Sequence, residues 1–172
     1  MAMTQWADDI FDVLIDAGIR QAAYVPDMGH KRLLERCHGD GRIRPVALTT
    51  EEEGVALLAG AWLGGDRGVL LMQSSGIGNC VNMFSLTREC EFPLLLLVTM
   101  RGQWKEYNPW QKHLGKNAKK LLGLAGFDVD VVSQPAAVGP AVAAAARDTF
   151  ENDARRAVLL HQKLMATKTF GK

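Results

Sequence analysis

Long apolar runs are missing from this sequence. The best of them, Phe92 to Met100, falls well short of the roughly 20 residues needed to cross a bilayer, so no membrane span is expected. Excess charge is missing too. Twenty Lys and Arg stand against 19 Asp and Glu, and the formal charge of +1 gives no global attraction to nucleic acid or to a membrane surface. Three cysteines, Cys37, Cys80 and Cys90, are too few and too scattered for a disulfide framework or a zinc cluster. Reduced thiols in a cytoplasmic protein are the simplest account. The N-terminal stretch, with Trp6, Asp8, Asp9 and Asp12, lacks the basic and then apolar build of a signal peptide. Repeats, low-complexity tracts and linkers are absent as well. What remains is an ordinary globular composition, 48% apolar and 23% charged over 172 residues. That length fits one domain, 1–172, with a polar tail from about 163.

Helical and strand patterns alternate from end to end. Trp6, Ile10, Val13, Leu14 and Ala17 share one face of a helix from about Thr4 to Ala17, with Gly18 as its stop. Strands are expected at Ala22–Val25, Arg44–Leu48, Val69–Met72, Leu94–Val98, Val129–Val132 and Ala157–His161. Helices are expected between them, at Leu33–Cys37, Thr50–Gly64, Asn79–Arg88, Asn117–Ala125 and Ala136–Phe150. This order predicts an α/β fold, a three-layer parallel sheet of about six strands with helices on both faces. Ligands meet such sheets at the carboxyl ends of the strands, where Pro26-Asp27, Thr49 to Glu52, Gln73 to Asn79, Thr99 to Lys105 and His161 fall.

Thr49-Thr50-Glu51-Glu52-Glu53-Gly54 is the stretch richest in chemistry. Three carboxylates open a helix otherwise built of small and apolar residues. Acids suit a helix N-terminus, and Thr50 with Glu53 matches a capping box. Glu52 is then not needed for the cap. Held against apolar surface, its proton affinity would rise towards the range useful for acid/base work.

Other motifs carry less. Gly76-Ile77-Gly78 between a strand and a helix is the setting of a phosphate loop, but Val81 stands where a dinucleotide fingerprint wants its third glycine. Gly39-Asp40-Gly41 precedes a strand instead of following one, and reads as a helix-ending turn. Cys80 is either a reactive thiol at a helix start or a buried packing residue. Asp27 either forms an Asx turn after Pro26 or presents a polar group to a ligand. Six Lys or Arg against one acid, Glu106, run from Arg101 to Lys120, with Trp104, Tyr107 and Trp110 among them. That run is a solvated basic face or an anion-binding one.

Taken together, Val25-Pro26-Asp27, Glu51 to Gly54 with Ala59-Gly60-Ala61-Trp62-Leu63, Leu71 to Asn79, and Pro93 to Leu97 leading to Arg101-Gly102 carry a family pattern. They resemble the pyrimidine-binding domain of thiamine-diphosphate-dependent 2-oxo acid decarboxylases, closest to the alpha subunit of sulfopyruvate decarboxylase and to phosphonopyruvate decarboxylase. The resemblance spans residues 20 to 130. It implies a carboxy-lyase subunit acting on an anionic 2-oxo acid, active only with a diphosphate-binding beta-type partner that anchors most of the thiamine diphosphate and its Mg2+. A hetero-oligomer with at least two copies of each chain is expected. It places the cofactor-activating glutamate at Glu52, ten positions before Trp62, bonding ring nitrogen N1′ of the aminopyrimidine and so promoting proton loss at the thiazolium carbon. Gln73, Ser75, Gly76, Gly78 and Asn79 would form the loop beside the pyrimidine. Asp27, His30 and Arg101 would face the substrate, and His113, beside Leu114-Gly115, would move protons. Independently of the family, a non-catalytic nucleotide-binding or regulatory module using Gly76 to Gly78 is the alternative.

Overall fold

The computed structural model describes residues 5–165. Six strands, β1 (Ile19–Tyr24), β2 (Arg44–Ala47), β3 (Arg67–Gln73), β4 (Leu94–Thr99), β5 (Asp128–Val132) and β6 (Arg155–Leu160), form one parallel sheet in the order β2-β1-β3-β4-β6-β5. Among the described residues α1 (Gln5–Asp16) precedes β1, and six α-helices join the strands: α2 (Lys31–Asp40), α3 (Glu51–Leu63), α4 (Gly76–Cys80), α5 (Phe84–Glu89), α6 (Lys112–Leu124) and α7 (Pro135–Glu151). The three-layer α/β expectation holds. The polar-tail expectation lies mostly outside the described residues, beyond the short 3-10 turn Gln162–Leu164.

The central strands read as unbroken apolar runs because both their faces are covered. Val69 and Leu71 of β3, with Leu95 and Leu97 of β4, pack with α1, α2 and α7. Leu70 and Met72, with Leu94, Leu96 and Val98, pack on the opposite side with α3, α4, α5 and α6. The period-2 alternation of a strand thus feeds two cores from one continuous run.

Strand order reverses direction at β1, since the chain runs from β1 out to β2 and then back across to β3. The crevice between the carboxyl ends of β1 and β3 is therefore a switch point, where open α/β sheets take their ligands. α3 lies over β1 and β3 and brings its first turn to that crevice. The expected turn at Gly76–Gly78 followed by one helix to Arg88 is corrected. The helix opens at Gly76 itself, breaks after Cys80, and resumes at Phe84.

Candidate functional site at the sheet switch point

At the mouth of α3 the three glutamates do three different things. Glu51 is buried at 6% exposure, because the inward stripe of α3 runs back through Ala61, Leu58 and Val55 to position 51. One of its carboxylate oxygens accepts a 2.7 Å hydrogen bond from Asn79 Nδ2. Glu52 is half-buried, and its Oε2 accepts the Thr50 hydroxyl at 2.5 Å. The expectation of a buried Glu52 with raised proton affinity is therefore corrected for this chain alone. That hydroxyl, with Glu52's own main-chain N–H, holds the carboxyl below the ordinary range. Glu53 is exposed and reaches back to the main-chain N–H of Thr49 at 2.8 Å. Thr50 is the N-cap by backbone conformation, but its side chain serves Glu52 and Glu53 bonds Thr49 instead of Thr50, so the expected capping box does not form.

Across from this mouth lies the turn that opens α4. Gly76 is buried directly under Glu51, and a Cβ there would stand 2.6 Å from the glutamate's side-chain carbons. Gly78 is exposed, with Leu114 of α6 as its nearest lateral neighbour, 3.8 Å from where a Cβ would sit. Ser75, half-buried, accepts the Gly78 N–H through its carbonyl at 3.1 Å. Gln73 Oε1 accepts Gln111 Nε2 at 3.3 Å, while Gln111 Oε1 is buried with no hydrogen-bond partner among the described residues. Cys80 is packed beneath this turn. Burial first, then the nearby charges of Glu51 and Glu52, push its thiol up to about 12, which makes it a packing residue and not a nucleophile.

On the β1 side, Asp27 does form the Asx turn, its Oδ2 accepting the Gly29 N–H at 3.1 Å. The same oxygen accepts the Thr99 hydroxyl of β4 at 2.5 Å. His30, expected to face a substrate, does not. It is 1% exposed, and its Nε2 sits 3.3 Å from the Met72 carbonyl and 3.1 Å from that of Leu97. Two carbonyls require a proton on Nε2, and burial keeps the ring neutral despite the pull of Asp27. This histidine is a peg through the sheet end, not a ligand group.

Arg101 is paired in a way the sequence did not announce. Its Nε and Nη2 donate to the two oxygens of Glu106 at 2.8 and 2.6 Å. Glu106 also accepts the N–H groups of Gly102 and Asn108 and the side-chain amide of Gln162. These donors outweigh desolvation and hold its carboxyl down at about 2. Asp27 and Arg101 both line a cavity of about 600 Å3, shared with Met28, Thr99, Trp104 and Lys105. Glu52 does not line it. His113 is exposed on the first turn of α6, one residue from Leu114.

No protein-family model matches the chain. The alpha subunit of sulfopyruvate decarboxylase from Methanococcus maripaludis is 35% identical over 117 residues, covering 67% of this chain and 70% of that protein. Its counterpart from Methanocaldococcus jannaschii is 39% identical over 114 residues, or 66% and 68% of the two chains. This chain belongs to the sulfopyruvate decarboxylase alpha-subunit family. Phosphonopyruvate decarboxylase of Streptomyces viridochromogenes is 34% identical over 128 residues, 73% of this chain but 32% of that longer one. Among solved structures, 2-oxoglutarate:ferredoxin oxidoreductase from Magnetococcus marinus, with 2-oxoglutarate, coenzyme A and succinyl-CoA bound, superposes with a TM-score of 0.71 at 14% identity. The match covers 92% of this chain and 29% of that one, and bears on the fold.

The residues of this sulfopyruvate decarboxylase alpha-subunit homologue fit one end of thiamine diphosphate. Glu52 offers a carboxylate at the surface with one oxygen engaged by Thr50, and Gly78 leaves open backbone for a flat ring. Among the described residues no group of three or more His, Cys, Asp or Glu is placed to hold a metal ion. Sequence reasoning missed Glu51, Thr99 and Glu106 as partners of the predicted residues. Only the first left a signal, the apolar stripe of α3 projected back by one turn.

Proposed function

We propose that this chain is the pyrimidine-binding half of a thiamine-diphosphate-dependent decarboxylase for an anionic 2-oxo acid of the sulfopyruvate or phosphonopyruvate kind. Residues 1–172 act as one such domain. The observation that carries the reading is Glu52, a half-buried carboxylate in the first turn of α3 at the β1/β3 switch point, next to the Glu51 that touches Gly76 and Asn79, in a chain of the alpha-subunit family. When bound, the cofactor supplies the electron sink for loss of carbon dioxide. The chain's own part is to hold a proton between Glu52 and the ring nitrogen it faces, and to place the ring with Gln73, Ser75, Gly76, Gly78 and Asn79. In the lone chain the Thr50 hydroxyl favours an ionised Glu52, so the proton it shares with the ring nitrogen must be taken up as the site is assembled.

A second chain completes the site. The outward face of α3 supports this, since Ala56, Gly60 and an 87% exposed Leu63 follow Glu52 along an uncovered apolar side. Docking there would desolvate Glu52 and raise its proton affinity to the working range. The partner, of beta type, would anchor the diphosphate and Mg2+. Asp27 and Arg101 form the substrate side, with Arg101 stiffened by Glu106, and exposed His113 is the proton-transfer candidate. No helix among the described residues is long and apolar enough to cross a membrane, and we place the assembly in the cytoplasm. The nucleotide-module reading is not favoured, because a phosphate at the start of α4 would meet the buried carboxylate of Glu51.

Reconstitution tests the proposal. With the partner, thiamine diphosphate and Mg2+, carbon dioxide should be released from sulfopyruvate or phosphonopyruvate faster than from pyruvate. Either chain alone should release none. Turnover by the lone alpha-type chain would contradict the shared site.

A further inference from the structure

Glu51 is a carboxylate taken out of water one residue from the proposed cofactor contact, and that placement is costly unless the charge is well partnered. It accepts a hydrogen bond from the amide of Asn79, at the far end of the turn expected to carry the pyrimidine. Its side chain also occupies the volume that any residue other than glycine would need at position 76. Contact below and hydrogen bond beside thus tie both ends of the Gly76–Asn79 turn to one side chain. An apolar residue at 51 could fill the space, but it could not set the rotation of α4 about Gly76.

We propose that Glu51 is a positioning residue for the Glu52 site, fixing through Asn79 how the Gly76–Asn79 turn stands against the mouth of α3. The inference rests on the assignment of Glu52 to the cofactor. Glu51 itself touches no reacting atom. Its effect is geometric, and small displacements of a catalytic contact carry large rate costs.

Exchange of donor and acceptor tests the pair. Asn79→Asp sets two carboxylates against each other at what is now a 2.7 Å contact, while Glu51→Gln combined with Asn79→Asp restores one donor and one acceptor in reversed sense. In the isolated chain, amide hydrogen exchange over residues 76–80 should quicken by about tenfold or more in Asn79→Asp and return to within about twofold in the double variant. In the reconstituted complex at saturating thiamine diphosphate, Glu51→Ala should lower kcat by about ten- to a hundredfold, and Glu51→Gln, whose amide oxygen still accepts from Asn79, should recover it. The near-ultraviolet circular dichroism of the bound cofactor should follow kcat. Unchanged exchange in Asn79→Asp, or unchanged kcat in Glu51→Ala, would overturn the inference, and so would lost exchange protection that the reversed pair does not recover. If Asn79→Asp does not fold, Asn79→Ala at this exposed position reads the same pair by exchange, with a faster rate over residues 76–80 expected and an unaltered rate contrary. Full activity of Glu52→Gln would instead sink the assignment of Glu52, leaving the exchange result intact.

Discussion

His30 and Glu106 are both ionisable groups whose surroundings settle their charge, and they do so in opposite directions. His30 is buried between two carbonyls and stays neutral, so on acidification the unfolded chain takes up the proton first, below the ordinary value of 6.5. Its contribution is complete above that pH and declines as pH falls, by up to about 1.4 kcal/mol per unit. Denaturant titrations between about pH 7 and 5 should show this slope in the parent chain and lose it in His30→Gln; equal slopes would refute a neutral peg. Glu106 has the depressed pKa of a paired acid. Its contribution is present above 4.5 and is lost as pH falls towards about 2. Glu106→Gln should flatten stability between those limits and, at neutral pH, destabilise by a few kcal/mol because Arg101 keeps a shielded charge without its counterion. Single-residue roles of this kind were poorly legible in the sequence. Among three consecutive glutamates only the apolar stripe of α3, projected back by one turn, marks Glu51 as the inward one, and a lone histidine has no spacing to interpret. Arg101 and Glu106 are near in sequence, but their pairing needs the loop that brings Gly102, Asn108 and Gln162 to the same carboxylate.

Elements were far more legible, since periodicity is a collective property that tertiary context seldom reverses. All six strands lie where alternating or continuous apolar runs place them. One miss is at a glycine. α6 begins at Lys112 and not at Asn117, because Gly115 is needed inside its first turns, where the carbonyl of Arg101 crosses 2.0 Å from a would-be Cβ. A residue that usually punctuates a helix here permits its closest approach. Gly102 is held with φ +73 in the opposing loop, and both glycines serve the same crossing. Gly115→Ala should therefore destabilise by at least about 1–3 kcal/mol despite alanine's better helix propensity, as read from a chemical-denaturation midpoint. A neutral or stabilising result would show that the loop after β4 can move away from α6. The break between α4 and α5 was equally hidden, since Val81 to Met83 carry no proline or glycine to mark it.

At the scale of the whole molecule, the sheet brings Asp27, the α3 mouth, the α4 turn and the loop after β4 to one edge from four separate stretches of sequence. Sequence order alone made that edge predictable, because strands alternating with helices leave their carboxyl ends together. What the single chain could not disclose is the second surface that would convert Glu52 from a half-exposed acid into a proton-sharing contact. The account stands or falls on that side chain. The direct measurement is carbon dioxide release by the reconstituted complex carrying Glu52→Gln, with assembly followed in parallel by analytical ultracentrifugation. We expect an assembled complex whose kcat is reduced by about a hundredfold or more. An assembled complex with undiminished turnover would contradict the assignment of Glu52 to the chemistry.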